Sequence, residues 1–319
     1  MAAWSDQLLV VTILAYLAAM VCHAAEYATR TRPRSRAREL VAVGAGVGAA
    51  GEPGPETPGI GGLGGRISAN AGRAAVAATA LGAVAHLAFL ATRGIAAHRM
   101  PWGNMYEFIG SVTFVGVVAW LGVLARRPAV RHLGLFVALA MVLLLGAAGM
   151  IAYTPVEPLV PALNSYWFVI HVSMAILSSG LFLLGFVPAA MYLVRTGHDQ
   201  GRRRFPYTLG PRVPAADALE RLTFQMHAFA FPIWTFAALI AGPIWAEAAW
   251  GRYWAWDPKE TWAFISWVVY AGYLHARATP SVRRTTATWI AVIGFVTMLM
   301  NLFGVNLFFD GLHSYADPD

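Results

Sequence analysis

Eight stretches of this chain run for roughly twenty residues with almost no charge, at approximately 6–27, 72–93, 107–125, 132–152, 166–194, 222–245, 260–277 and 286–308. About 20 mostly apolar residues are what a helix needs to cross the hydrocarbon core of a bilayer. The pattern within each stretch is apolar nearly all round, as expected of helices that face lipid or one another. The expected fold is therefore an all-α polytopic membrane protein of about eight transmembrane helices, forming a single membrane domain over residues 1–319. Composition agrees: 58% of the 319 residues are hydrophobic and 12% are charged, about half the charge of an ordinary soluble domain.

The basic residues give the orientation. Of the 23 Lys and Arg, all but Arg93, Arg99, Arg252 and Lys259 fall in the segments after spans one, three, five and seven. Cytoplasmic segments carry the excess of Lys and Arg, so both termini are expected on the outer side. The same rule puts residues 246–260, between spans six and seven, in an outer loop. This asymmetry accounts for the net charge of +7 without a nucleic-acid partner. Residues 28–71, Arg-rich and then rich in Gly and Pro, read as a flexible cytoplasmic linker. Gly46, Gly48 and Gly51 match a dinucleotide-binding spacing there, but no strand precedes them and Glu-Pro-Gly-Pro follows, so a nucleotide site is not expected. A single cysteine, Cys22, excludes an intramolecular disulfide, a CxxC pair and a cysteine zinc cluster. Asp6 in place of a basic start leads us to expect a retained first helix rather than a signal peptide.

The outer loop is unusual: residues 250–262 read WGRYWAWDPKETW. Asp257 is a good N-cap for the helix that follows, Pro258 suits its first position, and Glu260 completes a capping box. PWGNMYEF, between spans two and three, repeats the design with Asn104 as cap and Glu107 as third helical residue. Capping alone would explain these polar residues. An interfacial aromatic belt explains one or two rings at a helix end, such as Tyr166, Trp167 or Trp245. It explains Trp250, Tyr253, Trp254 and Trp256 within seven residues less well.

Histidine inside a membrane is costly unless paired or ligating. Of the nine histidines, His98, His132 and His198 fall in loops and are expected to be solvated. His171 lies one turn inside the outer end of span five, and His313 just beyond the outer end of span eight. Both share the depth of the tryptophan loop. His275 sits near the inner end of span seven, His23 and His227 lie in the inner half, and His86 in the outer half. Two imidazoles flanking aromatic rings are what a bis-histidine haem site needs, although lone membrane histidines also simply bond a neighbouring carbonyl.

These residues resemble a known family. The run from Trp250 to Glu260 is similar to the tryptophan-rich "WWD" motif of haem-handling proteins. Its continuation ETWAFISWVVYAGYLHAR through GVNLFFDGLHSY, with PWGNMYEF and WFVIHVSMAILSSG upstream, resembles the CcsA/ResC branch of System II cytochrome c biogenesis. The similarity runs from about residue 72 to the end of the chain. It departs at Gly103, where the family commonly has Ser, and in the 28–71 linker.

The resemblance implies a multi-pass protein of the cytoplasmic membrane that partners a ResB-like membrane protein within a cytochrome c synthase complex. Its implied task is to carry or present haem b at the outer face for attachment to the CxxCH motif of apocytochrome c. It further implies that His171 and His313 ligate haem iron beneath the loop of Trp250, Tyr253, Trp254, Trp256 and Asp257. His275 matches an inner, intramembrane haem ligand whose partner is expected from the ResB-like protein; within this chain His227 and His23 match its depth better than His86. Two other readings stay open at this stage. One is a System I-type haem-delivery protein, which the DPKE continuation and the LHSY tail argue against. The other is a transporter or quinone-site protein with a heavy aromatic belt.

Overall fold

The computed structural model describes residues 2–29, 60–159 and 161–313, and every long element among them is a helix. Helix α1 covers Ala2–Thr29, α2 Ile60–Ala97 and α3 Met105–Arg126. Helix α4 runs over Pro128–Ile151, its first turns 3₁₀ in form at Pro128–Leu133, and α5 over Tyr166–Asp199. Helix α6 spans Ala216–Trp250 with a π-turn at Ala237–Ala241, α7 spans Pro258–Ala278, and α8 spans Arg284–Phe308 with a second π-turn at Met300–Gly304. The protein is a polytopic all-α membrane protein. Seven of these helices are long and apolar enough to cross a membrane. The exception, α7, has 21 residues, about 31 Å at the α-helical rise. Its tryptophans and tyrosines, with Lys259, Glu260, His275 and Arg277 toward its ends, lower its hydropathy. It packs between α6 and α8.

Two expected boundaries move. The loop of 246–260 contracts to 251–257, because α6 continues to Trp250 and α7 opens at Pro258. The linker of 28–71 is shorter at both ends, because α1 runs through Thr29 and α2 begins at Ile60. Extending an existing helix adds a hydrogen bond for each residue fixed, which here outweighs the helix-weakening glycines at 61, 62, 64 and 65. Residues 30–59, with Gly46, Gly48 and Gly51, lie outside the described residues, as does the tail from Ser314.

Long-range contacts sort the helix ends into two groups. At one end Tyr153 Oη donates to Asp6 at 3.0 Å, Arg93 pairs with Glu107 at 2.9 Å and His313 with Asp257 at 2.8 Å. Lys259 Nζ lies 3.7 Å from Met105 Sδ, joining the starts of α3 and α7 at this same end. At the other end Arg131 pairs with Glu26 at 2.6 Å, Tyr27 Oη donates to Leu209 O at 3.1 Å, and Arg277 pairs with Glu220 at 2.9 Å. Successive helices thus run up and down. The alternation matches the alternation of basic segments along the chain. Where α1 and α2 meet, Gly82 lets Tyr16 approach so closely that an added Cβ would come within 2.5 Å of its ring, the usual small-residue packing device in lipid.

Candidate functional site

The site is built at the end that holds Asp6, Glu107 and Asp257. Helix α6 stops where Gly251 turns left-handed at φ +71, a conformation glycine adopts without steric cost. Helix α7 opens with the capping box expected from its sequence. The Asp257 side chain accepts from Lys259 N at 3.0 Å, and Glu260 Oε2 accepts from Asp257 N at 3.2 Å and Ala255 N at 2.9 Å. The seven residues between are therefore pinned at both ends.

The matching loop before α3 is pinned more firmly than capping requires. Asn104 Oδ1 accepts from Glu107 N at 2.9 Å, the expected cap. The Glu107 carboxylate is fully buried and accepts from Arg93 Nε at 2.9 Å, Arg99 Nη1 at 2.6 Å and Gly103 N at 2.8 Å. Arg93, 1% exposed, also donates to the carbonyls of Thr154 and Pro155. A buried charge is tolerated only when paired and hydrogen-bonded, and here one carboxylate holds two guanidinium groups and the loop backbone. This seats Trp102.

Between the two loops lies a cavity with about 1390 Å³ of space between atoms, part of it open to solvent. Its wall is largely apolar and aromatic, with Trp102, Trp245, Trp250 and Trp254 prominent, and it includes both His171 and His313. Trp245, 2% exposed, packs against both imidazoles, its ring centroid 5.7 Å from each. His171 lies near-parallel to it at 13°, whereas His313 meets it edge-on and also packs 5.0 Å from Trp250.

Each imidazole is oriented through Nδ1. His171 Nδ1 lies 2.9 Å from the Ala237 carbonyl in the first π-turn. A carbonyl can only accept, so Nδ1 carries the proton and Nε2 the lone pair. His313 Nδ1 lies 2.8 Å from Asp257 Oδ1, while Leu312 N donates to Oδ2 at 2.6 Å. Burial pushes the Asp257 carboxyl up. The hydrogen bond and charge of His313, with the Leu312 and Lys259 N–H groups, outweigh this and hold it below the ordinary carboxylate range. It is thus the acceptor, and it engages His313 through Nδ1. Anchoring Nδ1 to a carbonyl or carboxylate is how ligating histidines are fixed in tautomer and orientation. Among the described residues no group of three or more His, Cys, Asp or Glu could hold a bare metal ion. A pair of imidazoles can ligate a metal that brings its own equatorial ligands.

The structure brings together His171, His313, Trp250, Trp254 and, behind His313, Asp257. Tyr253 and Trp256 are 62% and 64% exposed and outside the cavity wall. Trp256, at φ +57, packs its ring edge-on to Trp254 at 5.6 Å. His275 lies near the opposite end, exposed on α7, and no hydrogen bond or ring contact joins it to His227 or His23 among the described residues. His227 is fully buried, its Nδ1 donating to Thr223 O at 2.7 Å, and His23 is buried beside Glu26. His132, expected to be solvated, is 4% exposed because its 3₁₀ turn packs into the bundle. Trp245, Trp102 and Lys259 join the cavity wall without having been singled out for it by spacing. Trp245 had the sequence signature of an interfacial belt residue.

The family profile for the cytochrome C assembly protein matches residues 102–313, which contain the whole cavity. The chain is 34% identical over 243 residues to the cytochrome c biogenesis protein CcsA of Guillardia theta, covering 71% of this chain and 80% of that protein. It is 30% identical over 276 residues to the CcsA protein of Gloeobacter violaceus, with 71% and 81% covered. Identity to the CcsA protein of Synechococcus elongatus is 32% over 274 residues, with 72% and 83% covered. With the profile spanning both cavity histidines and the relatives matched over most of their length, the chain belongs to the cytochrome c assembly protein family, in its CcsA branch.

Proposed function

We propose that this c-type cytochrome biogenesis protein holds haem b in the aromatic cavity and presents it for covalent attachment to the CxxCH motif of apocytochrome c. The observation that carries the reading is the pair His171 and His313. Both are anchored through Nδ1, line one apolar cavity and pack against the same Trp245 ring. Such a wall suits a porphyrin face, and two imidazoles saturate its iron, leaving no coordination position for oxygen. In the attachment step each cysteine S–H adds across a vinyl C=C. A C–S bond forms and one hydrogen passes to the other vinyl carbon, so the addition involves no net oxidation. The protein positions the reactants and the haem supplies the chemistry.

The positive-inside rule supports placing the cavity at the outer face of the cytoplasmic membrane, since the basic segments cluster at the opposite end. His275 supports a ResB-like partner: it is exposed on α7 near that opposite end, where a second membrane protein can supply another ligand. The visible spectrum of the purified full-length chain is the test. Sharp reduced α and Soret bands that weaken in His171→Ala and His313→Ala are expected, with the outer-site signal intact in His275→Ala. A colourless protein from haem-replete cells would refute the reading.

A further inference from the structure

A haem cavity must also place two carboxylates, the propionates. At this end of the bundle stand four cationic side chains. Arg93 and Arg99 are both committed to Glu107. Arg252 is exposed and outside the cavity wall. Lys259 lines the cavity. Its Nζ donates to Asn301 O in the second π-turn at 3.2 Å and lies 3.7 Å from Met105 Sδ, and among the described residues it forms no ion pair. The one carboxylate in that wall, Glu260, is engaged by two backbone N–H groups. The same wall contains two buried indole N–H groups, Trp102 Nε1 and Trp254 Nε1, without a hydrogen-bond partner among the described residues. Buried donors left unmade are costly and rare, so these three donors call for an acidic ligand group.

We propose that Lys259 is the anion anchor of the cavity: its ammonium receives a haem propionate, with the indole N–H groups of Trp102 and Trp254 as the neutral donors for the propionate oxygens. This rests on the haem reading above and deepens it. The two histidines fix the iron but leave the ring free to turn about the axis through them. A charged anchor at the start of α7 removes that freedom and so determines which porphyrin edge faces an incoming thiol. The cavity thereby selects porphyrins with free carboxylates.

The test titrates the full-length chain in detergent with ferric haem and with haem dimethyl ester, following the Soret band. The wild type is expected to bind haem about tenfold or more tightly than the ester, the scale of one charge-assisted hydrogen bond. Lys259→Gln and Lys259→Met, two neutral variants, are expected to lose that preference by weakening haem alone, their unchanged ester affinity reporting an intact fold. Lys259→Arg is expected to retain it. A wild type without preference, or neutral variants that keep it, would overturn the assignment while haem binding itself stands. A wild type that binds neither compound would overturn both readings.

Discussion

Replacing Asp257 by alanine separates the two tasks this carboxylate performs. It caps α7 through Lys259 N, and it seats the segment after α8 through Leu312 N and His313 Nδ1. Losing the cap costs about 0.5–2 kcal/mol of helix stability. Hydrogen bonds to a charged group contribute about 1.5–3 kcal/mol each, less where one is solvent-screened, so the seat of His313 loses about 3 kcal/mol. That corresponds to a factor of roughly 150 in the equilibrium between seated and released His313. Asparagine is as good a cap as aspartate but lacks the charge, so Asp257→Asn is expected to keep α7 and lose part of the seat. Two measurements follow this: hydrogen exchange at the Leu312 amide, and the intensity of the low-spin haem bands retained through purification. Asp257→Ala is expected to lose amide protection and most of the bands, and Asp257→Asn to fall between it and the wild type. Full protection at Leu312 in Asp257→Ala, with wild-type bands, would refute the carboxylate as the determinant of His313 position.

Gly311→Ala tests the same seat without touching a ligand. An added Cβ would come within 2.5 Å of Asp257 Oδ2 and 3.2 Å of Pro258 Cδ, so the variant is expected to lose the haem bands as Asp257→Ala does while α7 remains capped. Glu107→Gln distinguishes a buried ion cluster from a simple cap: breaking a buried pair costs about 3–5 kcal/mol, against about 1 kcal/mol for a cap, read as a fall in thermal midpoint in detergent. The seat should also respond to acid in one direction. The Asp257 carboxyl is held below its ordinary value of 3.8, so its contribution is complete above that pH and is lost as pH falls through the lowered value. Loss of Leu312 protection between pH 7 and pH 5 would contradict this assignment.

The spans, the alternation of helix ends and the two capped loops are legible in the chain because each has a local cause. Apolar runs need only length, basic segments need only counting, and Asp257, Pro258 and Glu260 act within one turn. The shared depth of His171 and His313 is legible as well, since depth is set by position along a span. Azimuth is not, and it explains what the sequence leaves hidden. Trp245 has the signature of a belt residue, and Lys259 that of an ordinary outer-loop charge. Which way Trp245 faces depends on the rotation of α6 beyond its π-turn, and the acceptor that Lys259 finds depends on the π-turn of α8; no residue pattern announces either turn. A π-turn closes i→i+5 hydrogen bonds, so the helix beyond it is displaced by one residue, about 100° of rotation. Gly242 N bonds Ala237 O across the first such turn, and Val305 N bonds Met300 O across the second. Each turn also hands a carbonyl to a side chain on another helix: Ala237 O to His171, and Asn301 O to Lys259. The two irregularities therefore seat His171 and Lys259, one imidazole and one cation of the same cavity wall. Regular helices carry the protein across the membrane; the departures from regularity position its chemistry.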